Sequence, residues 1–270
     1  MTSLLTNASA ITALQNLSAT NRAMQTTQDR ISTGMRVANA SDNAAYWSIS
    51  TTMRSDNSAL STVKDALGMG SATVDVASAA LKTTADLVTQ IKSKLVAATQ
   101  PGIDRTKIQG EIKQLQDQIK SVADSSTFSG QNWLSVDSGA TDYNATKSIV
   151  ASFTRSGTDV SIGTIDVDIS KISLFDSDST GEGIIDKARD AGSTTGVKLS
   201  DMDISTLTDA SADQTTLKDY ISIADAALTD VTSAASDLGA VKTRIGMQSD
   251  FVSNLMDAVT KGIGQLVDAD

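Results

Sequence analysis

The chain has 270 residues, 40% hydrophobic but only 3% aromatic, with a net charge of −10 at neutral pH. It has no Cys and no His, which removes disulfides, thiolate nucleophiles, Cys-ligated metals, Ser-His-Asp chemistry and HExxH sites. The acidic balance opposes nucleic-acid binding, and no apolar run is long enough to span a membrane.

The opening residues, Met1 to Ala10, lack a basic n-region and a continuous apolar h-region, so a cleaved secretory signal is not expected. From Leu14 a 3-4 spacing runs through Leu17, Asn21, Met24, Gln28, Ile31 and Met35. Gly34 and the polar stretch Asn39–Asn43 interrupt it. The spacing resumes at Ile49 and persists through Met53, Leu60, Val63, Leu67, Val74, Ala77, Leu81, Val88, Ile91 and Leu95 to Ala98, broken only by Asp56, Gly70 and Thr84. Such persistence predicts a coiled-coil-like helix of roughly 75 Å at 1.5 Å per residue. Pro101, the only proline, and Gly102 predict the turn that ends it.

A shorter helix is predicted on Ile108, Ile112, Leu115, Ile119 and Val122, returning antiparallel to the first rod because the connection is short. The stretch from Phe128 to Leu134 reads as a turn and strand. Val160, Ile162, Ile165, Val167 and Ile169 alternate with polar residues, and Gly163 stands where a bulge would shift the phase. The helical spacing returns at Ala224 and continues through Leu228, Val231, Ala235, Leu238, Ile245, Val252, Met256, Val259 and Ile263 to Leu266, broken only by Lys242 and Ser249. The predicted fold class is mainly α with a small β-rich insertion, in an elongated antiparallel helical bundle formed by both chain ends. Residues 1–40 form a first helix, 41–136 and 206–270 the bundle, and 137–205 a β-rich surface domain.

Several motifs carry a resemblance. Ser3-Leu4-Leu5-Thr6-Asn7, Ala13-Leu14, Arg30-Ile31-Ser32-Thr33-Gly34, Arg36-Val37, Asp42-Asn43-Ala44-Ala45 and Met53-Arg54 resemble the N-terminal signature of bacterial flagellins. Phe128 to Leu134 is similar to the β-turn after that family's first helical block. Leu238-Gly239-Ala240-Val241, Arg244-Ile245, Gly262-Ile263-Gly264 and Asp268-Ala269-Asp270 resemble its C-terminal helix, in most detail that of alphaproteobacterial members.

The resemblance implies a structural subunit of the flagellar filament that polymerises through its terminal helices for motility. It implies an extracellular protein, exported without a cleaved signal peptide. Its partners would be further copies or other flagellins, the export apparatus, and the cap and hook-associated proteins. The alternatives are a hook–filament junction protein, or an adhesin or enzyme activity carried by the middle segment. The family continues past Asp-Ala-Asp with a further helix, whereas this chain stops at Asp270, so a fragment or truncated form is expected. Residues 1 to about 35 would then lack their packing partner and fray in the monomer.

Leu4, Ile11, Leu14, Leu17, Met24 and Ile31 read either as one helix's own core face or, with the resemblance, as the subunit–subunit seam of the filament core. Arg30, Gly34, Arg36, Asp42 and Arg54 read either as solvated charge around a turn or as the residues that shape a connector between layers. Tyr46 and Trp47 read as packing anchors. Asp29–Ser50 aligns with the flagellin segment detected by a plant surface receptor, with Ser41, Asn43 and Tyr46 replacing its usual residues. Gln90 to Lys94 lacks the pattern read by the animal Toll-like receptor. Weak immune detection is the expectation. Asp201 and Asp203 suit a solvated acidic loop better than a cation site, because no Gly-anchored calcium loop surrounds them. Asn7-Ala8-Ser9 and Asn16-Leu17-Ser18 fit a glycosylation pattern that is common by chance. No catalytic residue, cofactor or metal site is assigned.

Overall fold

A computed structural model describes residues 7–157, 159–178 and 182–269. The helices are α1 (Ala8–Thr33), α2 (Ala44–Ala98), α3 (Arg105–Ser125) and α4 (Ser211–Val267). The strands are β1 (Thr127–Phe128), β2 (Gln131–Asn132), β3 (Ser135–Val136), β4 (Thr146–Ser156), β5 (Asp159–Asp168), β6 (Phe175–Asp176), β7 (Arg189–Ala191) and β8 (Thr194–Val197). Residues 63–250 form one compact unit, and residues up to 62 with those from Phe251 onward form a second; α2 and α4 contribute to both.

In the larger unit the helical seam is one part of the core, and Leu134, Ile165, Ile169, Ile172, Leu174 and Ile185 of the β-rich segment form another. Val63, Leu67, Val74, Ala77, Leu81, Val88, Ile91, Leu95 and Ala98 of α2 are buried, as are Ala224, Val231, Leu238 and Ile245 of α4. Two ion pairs fix the direction of the pairing: Lys92–Asp225 at 2.5 Å and Lys242–Asp75 at 2.5 Å. Residue number rises along α4 as it falls along α2, so the helices are antiparallel. Both pairs are well exposed and set register more than stability. Lys242, at a seam position by sequence, is exposed and points to Asp75 instead of the core.

The turn after α2 is held by a buried cation. Arg105 Nε donates to the Ala98 carbonyl at 3.0 Å, and its Nη2 pairs with Asp209 Oδ1 at 2.6 Å. The last turn of α2 has no basic residue of its own, so Arg105 supplies both donors and positive charge to the helix end. Asp104 caps α3 by accepting from the Thr106 and Lys107 amides. The Gln109 and Gln116 side chains then grip the segment before α4: Gln116 Nε2 donates to the Leu199 and Met202 carbonyls at 2.9 and 3.1 Å, and Gln109 Oε1 accepts from Ile204 N.

Among the described residues the β segments form four two-stranded ladders, antiparallel except for β3–β6. The β1–β2 hairpin turns on Ser129 and Gly130, both at positive φ (50° and 78°), the requirement of a tight I′ turn. The β4–β5 hairpin lies against the helices. Ile149 meets α2 where Gly70 has no side chain, since a Cβ there would be 2.5 Å from Ile149 Cγ2, and the Ala151 carbonyl accepts from Gln248 on α4 at 2.9 Å.

This hairpin corrects one expectation. The register shift falls on β4, between Val150 and Ser152, and β5 passes Gly163 without an extra residue. Ile165, Val167 and Ile169 are therefore buried while Val160 and Ile162 sit on the opposite face, 51% and 61% exposed. Gly163 instead makes room for the Ser152 hydroxyl on the paired strand.

Candidate assembly surface

Asn7 starts α1 by accepting from Ala10 N at 3.2 Å through Oδ1. Thr12, Thr20, Thr26, Thr27 and Thr33 each return their hydroxyl to the carbonyl four residues back, so the polar positions satisfy themselves within the helix. The apolar positions have no such outlet. Ile11, Leu14, Leu17, Met24 and Ile31 are 49%, 65%, 59%, 53% and 78% exposed, and α1 has no buried residue. Leu4, the first member of the same predicted stripe, lies outside the described residues.

α1 ends because Gly34 takes the left-handed conformation (φ 68°) and donates its N–H to the Arg30 carbonyl at 2.8 Å. The chain then docks on the far end of α4. Arg36 N and Val37 N both donate to the Val267 carbonyl, at 2.7 and 3.2 Å, and Ala269 N donates back to the Gly34 carbonyl at 2.9 Å. The Arg36 guanidinium reaches the Leu266 and Gln265 carbonyls at 3.1 and 3.4 Å. These are the orphan acceptors of a helix C-terminus, and the last turn of α4 carries no basic residue. Val37, beside them, is only 5% exposed.

Asp42 folds the rest of the connector by accepting from Ala38 N and Asn39 N at 3.0 and 2.9 Å. Asn43 then starts α2 by accepting from Tyr46 N through Oδ1 at 3.1 Å. Arg30, Arg36 and Asp42 line one shallow hollow of about 260 Å³. Arg54 does not join them; its guanidinium stands 4.0 Å from Met35 Sδ. Tyr46 and Trp47 are 41% and 39% exposed, so they are not the packing anchors expected of them. Arg36 is in the predicted set, but its partners, the α4 carbonyls, carry no side-chain signal and were not foreseeable from residue types.

Among the described residues no group of three acidic side chains could hold a metal, and no helix is long and apolar enough to cross a membrane.

The two profiles that match the chain belong to one class of proteins built from terminal helices. The bacterial flagellin N-terminal helical region matches residues 4–138, and the bacterial flagellin C-terminal helical region matches residues 221–270. The chain is 47% identical to Flagellin C of Rhizobium meliloti (strain 1021) over 285 residues, covering all of this chain and 88% of that protein. It is 38% identical to Flagellin A of Rhizobium meliloti over 362 residues, covering all of this chain and 91% of that protein. It is 41% identical to a flagellin of Brucella melitensis biotype 1 over 271 residues, again across the whole chain and 86% of the relative.

The chain belongs to the bacterial flagellins, of the alphaproteobacterial type. It is a structural subunit of the extracellular flagellar filament, polymerises with itself, and is not an enzyme. The junction-protein and adhesin readings are not favoured by these similarities.

Proposed function

We propose that the apolar stripe of α1, from Leu4 through Ile11, Leu14, Leu17, Met24 and Ile31, is the seam through which subunits join in the filament core. The observation that carries this reading is a 26-residue helix with an apolar stripe and no buried residue. Folding alone does not stabilise such a stripe, because burial of the apolar face supplies most helix stability. Polymerisation supplies it. In this reading residues 1–40 are the core helix, 41–136 with 206–270 the bundle, and 137–205 the variable surface domain. Gly34, Arg36 and Asp42, with Arg30 beside them and Arg54 reaching Met35, set the direction in which α1 leaves the α4 end. The subunit passes through the export apparatus without a cleaved signal and meets the cap and hook-associated proteins during growth.

Sedimentation of a Leu14→Asp variant tests the seam. Burying a leucine contributes about 1.5–3 kcal/mol, and each 1.4 kcal/mol is about tenfold in an equilibrium. The critical concentration for polymerisation should therefore rise at least about tenfold, while the thermal unfolding of the bundle stays unchanged. Polymerisation at the original concentration would rule out the seam.

A further inference from the structure

The triplet Asn-x-Ser/Thr, the acceptor pattern of N-linked sugars, begins at Asn7, Asn16, Asn39 and Asn144. Three of these sit in a helix, at its cap or in a turn, with no hydrogen bond inside the triplet among the described residues. Asn16 and Ser18 lie inside α1, where residues two apart face different sides. Asn7 uses its side-chain oxygen to cap α1, and Ser9 is already helical. Asn39 opens a turn closed by Asp42 N–H on its carbonyl at 3.1 Å.

Asn144 is different. Its Oδ1 accepts the Thr146 N–H at 2.9 Å, an Asx-turn formed within the triplet itself. That bond engages the carbonyl end of the amide and leaves the NH₂ end without a hydrogen bond among the described residues. The Thr146 hydroxyl is equally unengaged there, and Asn144 and Thr146 are both exposed. Asp142, two residues earlier, is also exposed. The triplet lies in the stretch between the two family profiles, which end at 138 and resume at 221.

The neighbours of Asn144 also line an open groove of about 650 Å³, within the roughly 300–1,000 Å³ range of ligand clefts. Tyr143 and Ala145 line it, as do Ser170, Lys171, Glu182 and Asp237. Hydroxyls, both signs of charge and one aromatic ring suit a polyhydroxylated chain attached at its rim.

We propose that Asn144 is an N-glycosylation site. Its amide nitrogen forms a bond to the anomeric carbon of a sugar activated as a glycosyl diphosphate ester. The anomeric carbon–oxygen bond breaks, the diphosphate leaves with the electron pair, and the amide proton passes to a base on the transferase. No oxidant or reductant is needed.

The test uses filaments sheared from the source organism, digested with trypsin and sequenced by electron-transfer fragmentation. The peptide 121–147 should carry a whole number of sugar residues on Asn144. Asn144→Gln and Thr146→Val should abolish the increment, and Thr146→Ser should retain it. Thr146→Val keeps the backbone N–H of the Asx-turn, so its loss of sugar cannot come from losing the turn, and circular dichroism checks that both variants fold. An unmodified Asn144 in native filaments, a sugar on a Ser or Thr of the same peptide, or an increment that survives Asn144→Gln would each overturn the proposal. Filaments are the starting material, so failure here leaves the assembly reading untouched.

Discussion

Two stretches of this chain share one pattern and have opposite fates. The 3-4 spacing of α2 from Val63 to Ala98 is buried at each seam position named in the sequence, with Leu67, Val74, Leu81 and Val88 fully so. The same spacing in α1 leaves Leu14 65% and Ile31 78% exposed. Periodicity therefore identifies an apolar face but not what covers it. For α2 the cover lies in the same chain, on α4. For α1 no cover is found among the described residues, and the seam proposed above places that cover in the assembled filament.

The contrast is sharpened most by cutting the same side chain from each face. Leu81→Ala leaves a cavity in a seam where Leu81 is fully buried, and should destabilise the monomer by about 2–5 kcal/mol. Chemical denaturation would measure it. A monomer indifferent to Leu81→Ala would mean that α2 and α4 do not form a tight core.

The helix ends extend the comparison. α2 and α4 both lack a basic residue in their last turn, and each receives an arginine from elsewhere in the chain. Arg105, at the α2 end, is buried and paired with Asp209. The Arg105 side-chain hydrogen bond, reinforced by the Gly102 N–H, holds the Asp209 carboxyl below its usual range. A depressed carboxyl contributes stability that is complete above its unfolded value and is lost as pH falls through the folded one. Wild type should therefore lose stability below about pH 4, the ordinary carboxylate range. Asp209→Asn should lose less over the same window, as an acid titration followed by fluorescence or circular dichroism would read. Identical acid profiles would remove Asp209 from this role.

Arg36, at the α4 end, is solvent-exposed, so its effect should be smaller. Arg36→Gln should cost about 0.5 kcal/mol through the helix-end charge, detectable as faster amide exchange in the last turn of α4. Because Arg36 N and Val37 N also cap Val267 through the backbone, the connector should stay docked. Complete release of residues 34–37 would show that the guanidinium, not the backbone, holds it.

Much of the fold could be read from residue types. The α2 seam, the stop at Pro101, the polar break before α2 and the turn at Ser129–Gly130 follow from spacing and from glycine or proline stereochemistry. What could not be read depends on partners distant in sequence. Gln116 sits at a buried position of α3 because two carbonyls of the Leu199–Met202 segment receive its amide. Arg105 is buried because a helix end and Asp209 surround it. The bulge falls at Ala151, not Gly163, and the residue pattern of one strand does not show which of two paired strands carries the extra residue. In the assembly surface, α1, Gly34 and the Arg36-Val37 pair were visible in the sequence, whereas their docking on the carbonyls of α4 was not.

The central claim is that the face of α1 is covered in the filament and not by the residues described for the monomer. Hydrogen exchange of residues 8–33, compared between monomer and filament with α2 as internal reference, tests it directly. The account predicts fast exchange along α1 in the monomer beside strong protection at Leu67 to Leu95, and protection of both in the filament. Protection of α1 in the monomer equal to that of α2 would contradict it.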